Sequence, residues 1–145
     1  MNINRNEYME ISEITNEIIS DFEFFGDDWE AKYEHIIDLG KSLPIIDPAA
    51  KTDDRIIQGC QSRVWLNAEK IDGRMVYTAD SDAIITKGMI ALLVRVLSHQ
   101  KPNDILQADL SFIDKIGLKE HLSPTRANGL LSMVNQMKKE ALKNM

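Results

Sequence analysis

The chain is poor in the residue types that hold metals and disulfides. It has one cysteine, Cys60, in 145 residues. A lone thiol cannot build an internal disulfide framework. Nor can it hold an iron–sulfur cluster by this chain's own thiolates, which takes a set of them. Histidine is scarce too: His35, His99 and His121 stand far apart and no two form a ligand pair at metal spacing, which argues against zinc. Excess positive charge is also missing, since 17 Lys and Arg face 23 Asp and Glu for a net charge of −6. A nucleic-acid partner is therefore not expected, because phosphate binding is driven by clustered cations. Lys138, Lys139 and Lys143 do cluster, but at the C-terminal end of a predicted helix, where cations complement the dipole. No apolar run reaches the length of a membrane span; the longest candidate, Met89 to Leu97, is broken by Arg95. With no charged-then-apolar leader either, the chain reads as cytoplasmic, with no membrane partner.

What is present is ordinary for a globular protein: 43% hydrophobic and 28% charged residues, with no repeat, linker or low-complexity tract. We expect one domain over residues 1–145, able to bury about two-thirds of its unfolded surface. Tyr8, Ile11, Ile14, Ile18 and Phe22 recur at helical steps. Asp27 and Asp28 offer N-caps for a second helix with Trp29, Tyr33, Ile36 and Ile37 on its inner face, stopped by Gly40 before Pro44. Pro44 to Asp54 reads as a polar surface connection.

The period then changes. Arg55 to Gln58 suggests a short strand, and Ser62 to Lys70 alternates with Val64, Leu66 and Ala68 on one face. Asp72–Gly73 is a two-residue hairpin signal, because both central positions need positive φ. Pairing across it sets Ala68 opposite Tyr77 and Leu66 opposite Ala79, so the apolar faces coincide. Trp65 falls on the other face, either covered by a helix or exposed. Asp80, Ser81 and Asp82 should end the strand and cap a buried helix from Ala83 to Ser98. Gly88 within that helix costs about 1 kcal/mol against Ala, which close approach of another backbone would repay. Short helices are expected at Pro102 to Leu106 and Ser111 to Leu118. A last helix starts at Ser123–Pro124 with Leu130, Met133, Met137 and Ala141 as its stripe. The fold class is α+β: a small antiparallel three-stranded sheet packed against helices that precede and follow it.

Cys60 lies in Gln58-Gly59-Cys60-Gln61-Ser62, between two expected strands. Free cysteine is among the most buried residue types and commonly acts as a small hydrophobe. A glycine beside it, however, permits a tight turn and close approach by another molecule. Loops on a rigid scaffold are where function concentrates.

The segment Gly59-Cys60-Gln61-Ser62-Arg63-Val64-Trp65 resembles the signature of SufE-type sulfur acceptors, the CsdE branch included. Trp29 and Lys32-Tyr33, Leu39-Gly40, Leu43-Pro44, Asp80-Ser81-Asp82, Lys87-Gly88, and His121-Leu122-Ser123-Pro124-Thr125-Arg126 with Gly129 extend the resemblance in order, from about residue 14 to 140. It implies a protein that binds a pyridoxal-phosphate cysteine desulfurase, takes its persulfide sulfur on Cys60 and raises its turnover. The sulfur then passes to an iron–sulfur scaffold complex. Such a protein is an accessory rather than an enzyme, with no cofactor of its own, since the pyridoxal phosphate belongs to the desulfurase. Arg126 and Asp82 match positions the family uses around the cysteine, and Asp114 and His121 fall on positions that are usually polar. Gly59, Gln61, Ser62 and Arg63 would form the loop that meets the partner, although Arg63 stands where the family varies.

The chemistry suits a single thiol. Persulfide transfer is thiol exchange in kind and needs a thiolate, whereas free cysteine, with a pKa of about 8.5, is mostly thiol at neutral pH. Arg126 at a helix N-terminus would favour the thiolate if the fold brings it to Cys60. Apolar surroundings would act oppositely, tucking the sulfur in until a partner docks. Two other readings stand beside this one. The first is a thiol hydrolase or peroxidase with Cys60 as nucleophile and His121 and Asp114 as base and orienter. The second is an interaction domain that regulates the desulfurase without carrying sulfur.

Overall fold

The computed structural model describes residues 9–145, so Tyr8, expected on the first helical stripe, lies outside the described residues. Helix α1, Ile11–Phe24, opens with a capping box in which Glu10 and Glu13 exchange side-chain and backbone bonds. Its Ile14, Ile18 and Phe22 face inward as their spacing predicts. Helix α2, Trp29–Lys41, is capped by Asp28, whose Oδ1 accepts from Ala31 N at 3.0 Å. After two short 3₁₀ turns, Pro48–Ala50 and Asp53–Arg55, come strands β1, Val64–Ile71, and β2, Arg74–Ser81. Four helices follow: α3, Ile84–Leu97; α4, Pro102–Leu106; α5, Phe112–Lys115; and α6, Pro124–Lys143. A further 3₁₀ turn at Lys119–His121 precedes α6.

The hairpin keeps the expected register, with Leu66 opposite Ala79 and Ala68 opposite Tyr77. Asp72 and Gly73 have φ of 51° and 80°, as the turn demands. The third strand is a correction. Among the described residues the sheet has two strands, and Ile56 contributes a single antiparallel bridge to Trp65. The reason is local. The 3₁₀ turn ending at Arg55 uses the backbone just before, and Gly59, at φ 92°, bends the chain away just after. Arg55 is held through its side chain instead, Nε donating to Asn67 Oδ1 at 3.1 Å. The connection before it is also less superficial than expected: Ile46 is fully buried, and Ile45 bridges Ala79 in parallel at the other edge of β2.

Helix α3 is the central element, with ten of its residues buried, and it packs against α2 through a close crossing. A Cβ on Gly88 would stand 2.1 Å from Ile36 O, and one on Gly40 3.0 Å from Gly88 N. Gly88 therefore has the close backbone approach that its sequence position suggested. Gly40 is corrected: it does not stop α2, which runs on to Lys41, but is the other half of this crossing. Tyr77 joins the hairpin to α6. Its ring is fully buried, its hydroxyl donates to Met137 O at 2.7 Å, and its own N–H donates to Ser98 Oγ at 2.9 Å. Burial, and then the Glu140 carboxylate, push this phenol well above its ordinary pKa. The expected stripe of α6, Leu130, Met133, Met137 and Ala141, is buried throughout.

Candidate functional site

The loop carrying Cys60 is closed at its base like a miniature hairpin. Ile57 N donates to Val64 O at 2.8 Å, just beyond the Ile56–Trp65 bridge. Gly59 turns in the left-handed region, and a Cβ there would fall 2.4 Å from Ser132 Oγ on α6. Only glycine suits both the backbone angle and the gap. That turn brings Cys60 against the side of α6, where its Sγ donates to Gly129 O at 3.5 Å. A Cβ on Gly129 would sit 3.6 Å from the sulfur, so the bare helix backbone at this position is what the thiol packs on.

Cys60 is half-buried and borders a small cavity of about 70 Å³. Gln61 and Ser62 line it from the loop, Thr86 and Met89 from α3, and Thr125, Arg126, Gly129 and Met133 from α6. Arg126 is its one charged lining residue. The fold thus brings Arg126 and Cys60, far apart in sequence, to one cavity. The thiol nonetheless does not meet the open N-terminal N–H groups of α6; it meets a carbonyl one turn further along. Burial pushes the Cys60 thiol pKa up. Donation to a carbonyl acts in the same direction, since only the protonated sulfur can make that bond. In this state the sulfur is held as a protected thiol, not as a waiting thiolate.

The cap expected of Asp82 is not made. The N-cap of α3 is Ala83, without a side-chain bond, and the helix begins one residue later than predicted. Ser81 Oγ accepts from Ala83 N at 3.3 Å, while Asp82 Oδ1 accepts from Arg63 N at 3.1 Å. Ser81 Oγ also donates to Arg63 O at 2.8 Å. The turn between β2 and α3 therefore grips the exit of the cysteine loop at Arg63, whose side chain is exposed. Alongside, Asp80 takes the Lys51 ammonium at 2.8 Å and the Lys87 ammonium at 3.3 Å. Burial pushes the Asp80 carboxyl up, but Lys51, the Ser81 N–H and Lys87 together hold it below its usual value. Lys51 also covers half-buried Trp65, its nitrogen 4.4 Å from the ring centroid.

Asp114 and His121 do not line the Cys60 cavity. Asp114 is exposed on α5. His121 stacks on Trp29 with centroids 3.7 Å apart, and its Nδ1 lies 3.0 Å from Gly117 O. The base-and-orienter arrangement of a thiol hydrolase is not built around this sulfur. What sequence reasoning missed is the floor of the cavity. Thr86 and Met89 carry no motif signal, and nothing in the spacing of Gly129, although the resemblance includes it, says that the sulfur packs on it. Among the described residues no group of three or more His, Cys, Asp or Glu is placed to hold a metal ion, and no helix is long and apolar enough to cross a membrane.

A half-buried thiol in a glycine-bent loop, on an α+β scaffold with a two-stranded sheet, defines the class. The family model described as "SufE: Fe-S metabolism associated domain" matches residues 16–141. The chain belongs to the SufE family, associated with iron–sulfur metabolism. It is 40% identical to an uncharacterised SufE-like protein of Rhizobium meliloti, covering 87% of this chain and 93% of that one. It is 38% identical to another from Rhizobium etli, covering 87% and 88%. It is also 44% identical to SufE-like protein 1, chloroplastic/mitochondrial, of Arabidopsis thaliana, matching 78% of this chain but only 31% of that longer protein. Among solved structures, a hypothetical protein from Thermus thermophilus shares the fold, with a TM-score of 0.75 at 18% identity over 90% of this chain and 94% of that one.

Proposed function

We propose that the protein is a sulfur acceptor: Cys60 takes a persulfide sulfur from a pyridoxal-phosphate cysteine desulfurase, raises that enzyme's turnover and delivers the sulfur to an iron–sulfur scaffold complex. The observation that carries this reading is the placing of the chain's one thiol. It sits on a glycine-bent loop, half-buried beside Arg126, with no histidine, carboxylate or lysine base among the residues lining its cavity. In the transfer, the Cys60 thiolate attacks the outer sulfur of the donor persulfide. The donor's sulfur–sulfur bond breaks, a new one forms on Cys60, and the donor cysteine leaves as thiolate to take up the proton that Cys60 gave up. Sulfur moves without any external oxidant or reductant.

The protected thiol of the free protein must first be uncovered. Its bond to Gly129 O is long, and the grip at Arg63 is made of a few exposed or half-buried bonds, so a docking partner has little to displace. Arg126 then stands by to offset the charge of the exposed sulfur. The exchange needs a compartment where thiols stay reduced, and the cytoplasm meets that requirement. The protein acts as an accessory, since the carbon–sulfur chemistry belongs to the desulfurase.

Intact-mass analysis after incubation with the cognate desulfurase and cysteine tests the reading. A gain of one sulfur atom, reversed by reductant and mapped to Cys60, is expected. Cys60→Ser should still bind the desulfurase yet no longer stimulate it. Stimulation that survives in Cys60→Ser would replace the carrier reading with that of a regulatory interaction domain.

A further inference from the structure

Away from the Cys60 cavity, one aromatic cluster has no part in the chemistry described so far. Trp29 and Tyr33, one turn apart on α2, reach the 3₁₀ turn that precedes α6. Trp29 stacks on His121 at an interplanar angle of 11°. The Lys32 ammonium, in a residue only 8% exposed, sits 4.7 Å from the Trp29 ring centroid. The Tyr33 hydroxyl donates to His121 O. Facing a carbonyl, His121 Nδ1 carries its proton and donates to Gly117 O. Gly117 itself has φ 76°, and a Cβ on it would meet Trp29 Cζ2 at 3.1 Å. The stack, the Tyr33 hydrogen bond and the glycine contact therefore fasten residues 117–121 to α2, and the His121–Gly117 bond closes that segment on itself.

Two residues after His121, Ser123 caps α6 by accepting from Arg126 N at 3.2 Å. The turns so started carry Thr125, Arg126 and Gly129, which with Met133 further along form the α6 wall of the thiol cavity. The clamp thus fastens the chain just before the helix on which the sulfur rests. We propose that Trp29, Tyr33 and His121 are positioning residues that hold the first turns of α6 against Cys60 and so keep the thiol covered. The inference rests on Cys60 being the sulfur-accepting atom. It concerns how tightly that atom is kept idle. The charged groups near the thiol are Arg126 on α6 and, at the loop's exit, Arg63 and Asp82; none belongs to the clamp.

The test uses the protein without any partner, so its outcome is separate from that of the sulfur-transfer assay. Because Cys60 is the one cysteine, every alkylation event reports on it. Iodoacetamide alkylation rates are measured against pH for the wild type, Tyr33→Phe, Trp29→Leu and a core control, Ile18→Val. Tyr33→Phe removes only the hydroxyl bond, and its fold can be verified by circular dichroism. Loosening α6 should resolvate the thiol, so both clamp variants should react roughly threefold or more faster at neutral pH, the gain of a half-unit fall in thiol pKa. Their profiles should inflect at lower pH, while Ile18→Val, destabilised without touching the clamp, should follow the wild type. Tyr33→Phe that matches the wild type or the control in rate and inflection overturns the proposal.

Discussion

The two sides of α3 are built on opposite terms. On the side that meets α2, backbones touch through Gly40 and Gly88, and nothing larger than hydrogen fits. On the side that meets the cysteine loop, Thr86 and Met89 border a small cavity, and the one hydrogen bond of the sulfur is long. The first arrangement resists movement, since close-packed backbone has no rotamer by which to yield. The second lets a loop of a few residues move without unpacking the core. The chain's one thiol lies where packing is looser.

The sharpest way to break that contrast is Gly88→Ala. The substitution gains about 1 kcal/mol in helix propensity, but a Cβ 2.1 Å from a carbonyl oxygen must push two helices apart. A net loss of about 2 kcal/mol is expected, as for other overpacked cores, measured as a lower denaturant midpoint. On the loop side, Gly59→Ala meets a left-handed φ and a hydroxyl rather than backbone. It should cost about 1–2 kcal/mol in strain and displace the thiol. Adding Ser132→Ala should recover part of both losses, because the Oγ lies at 2.4 Å while the strain of φ 92° remains. A double-mutant cycle in urea, with Cys60 alkylation alongside, reads the coupling; no such rescue is available at Gly88.

Tyr77→Phe comes next, at about 1–2 kcal/mol, since it strips the hydroxyl from Met137 O deep between hairpin and α6. It should leave Cys60 reactivity as it was, because the bond lies about two turns from Gly129. The smallest effect is electrostatic. Asp80 has a lowered folded pKa, so its share of stability is present above the ordinary carboxylate pKa and is lost as pH falls through the folded value. A partly exposed carboxylate shared by two lysines contributes about 0.5 kcal/mol. Asp80→Asn should therefore flatten the acid limb of the stability–pH curve by that amount.

Much of the scaffold was legible because its signals are local. Helical spacing placed α1, α2, α3 and α6. Asp28 and Ser123 announced their caps, and Asp72–Gly73 set the hairpin register through its need for two positive φ angles. The errors came where neighbours decide. Arg55 to Gln58 has strand-like composition, yet a 3₁₀ turn before it and a glycine bend after it leave one bridge. Gly40 looked like a stop because glycine commonly ends helices, whereas here it admits another backbone. Asp82 looked like a cap and makes none, holding only the exit of the cysteine loop.

The sequence alone determined that any sulfur chemistry must pass through Cys60, because there is no second thiol, and that the residues around it follow the SufE pattern. Tertiary structure decided the state of that thiol. It set Cys60 against the Gly129 carbonyl with Arg126 in the same cavity and placed His121 out of reach on Trp29. A thiol's proton affinity depends on what surrounds it in space, and the groups that surround this one come from a loop and two helices whose meeting no sequence interval encodes.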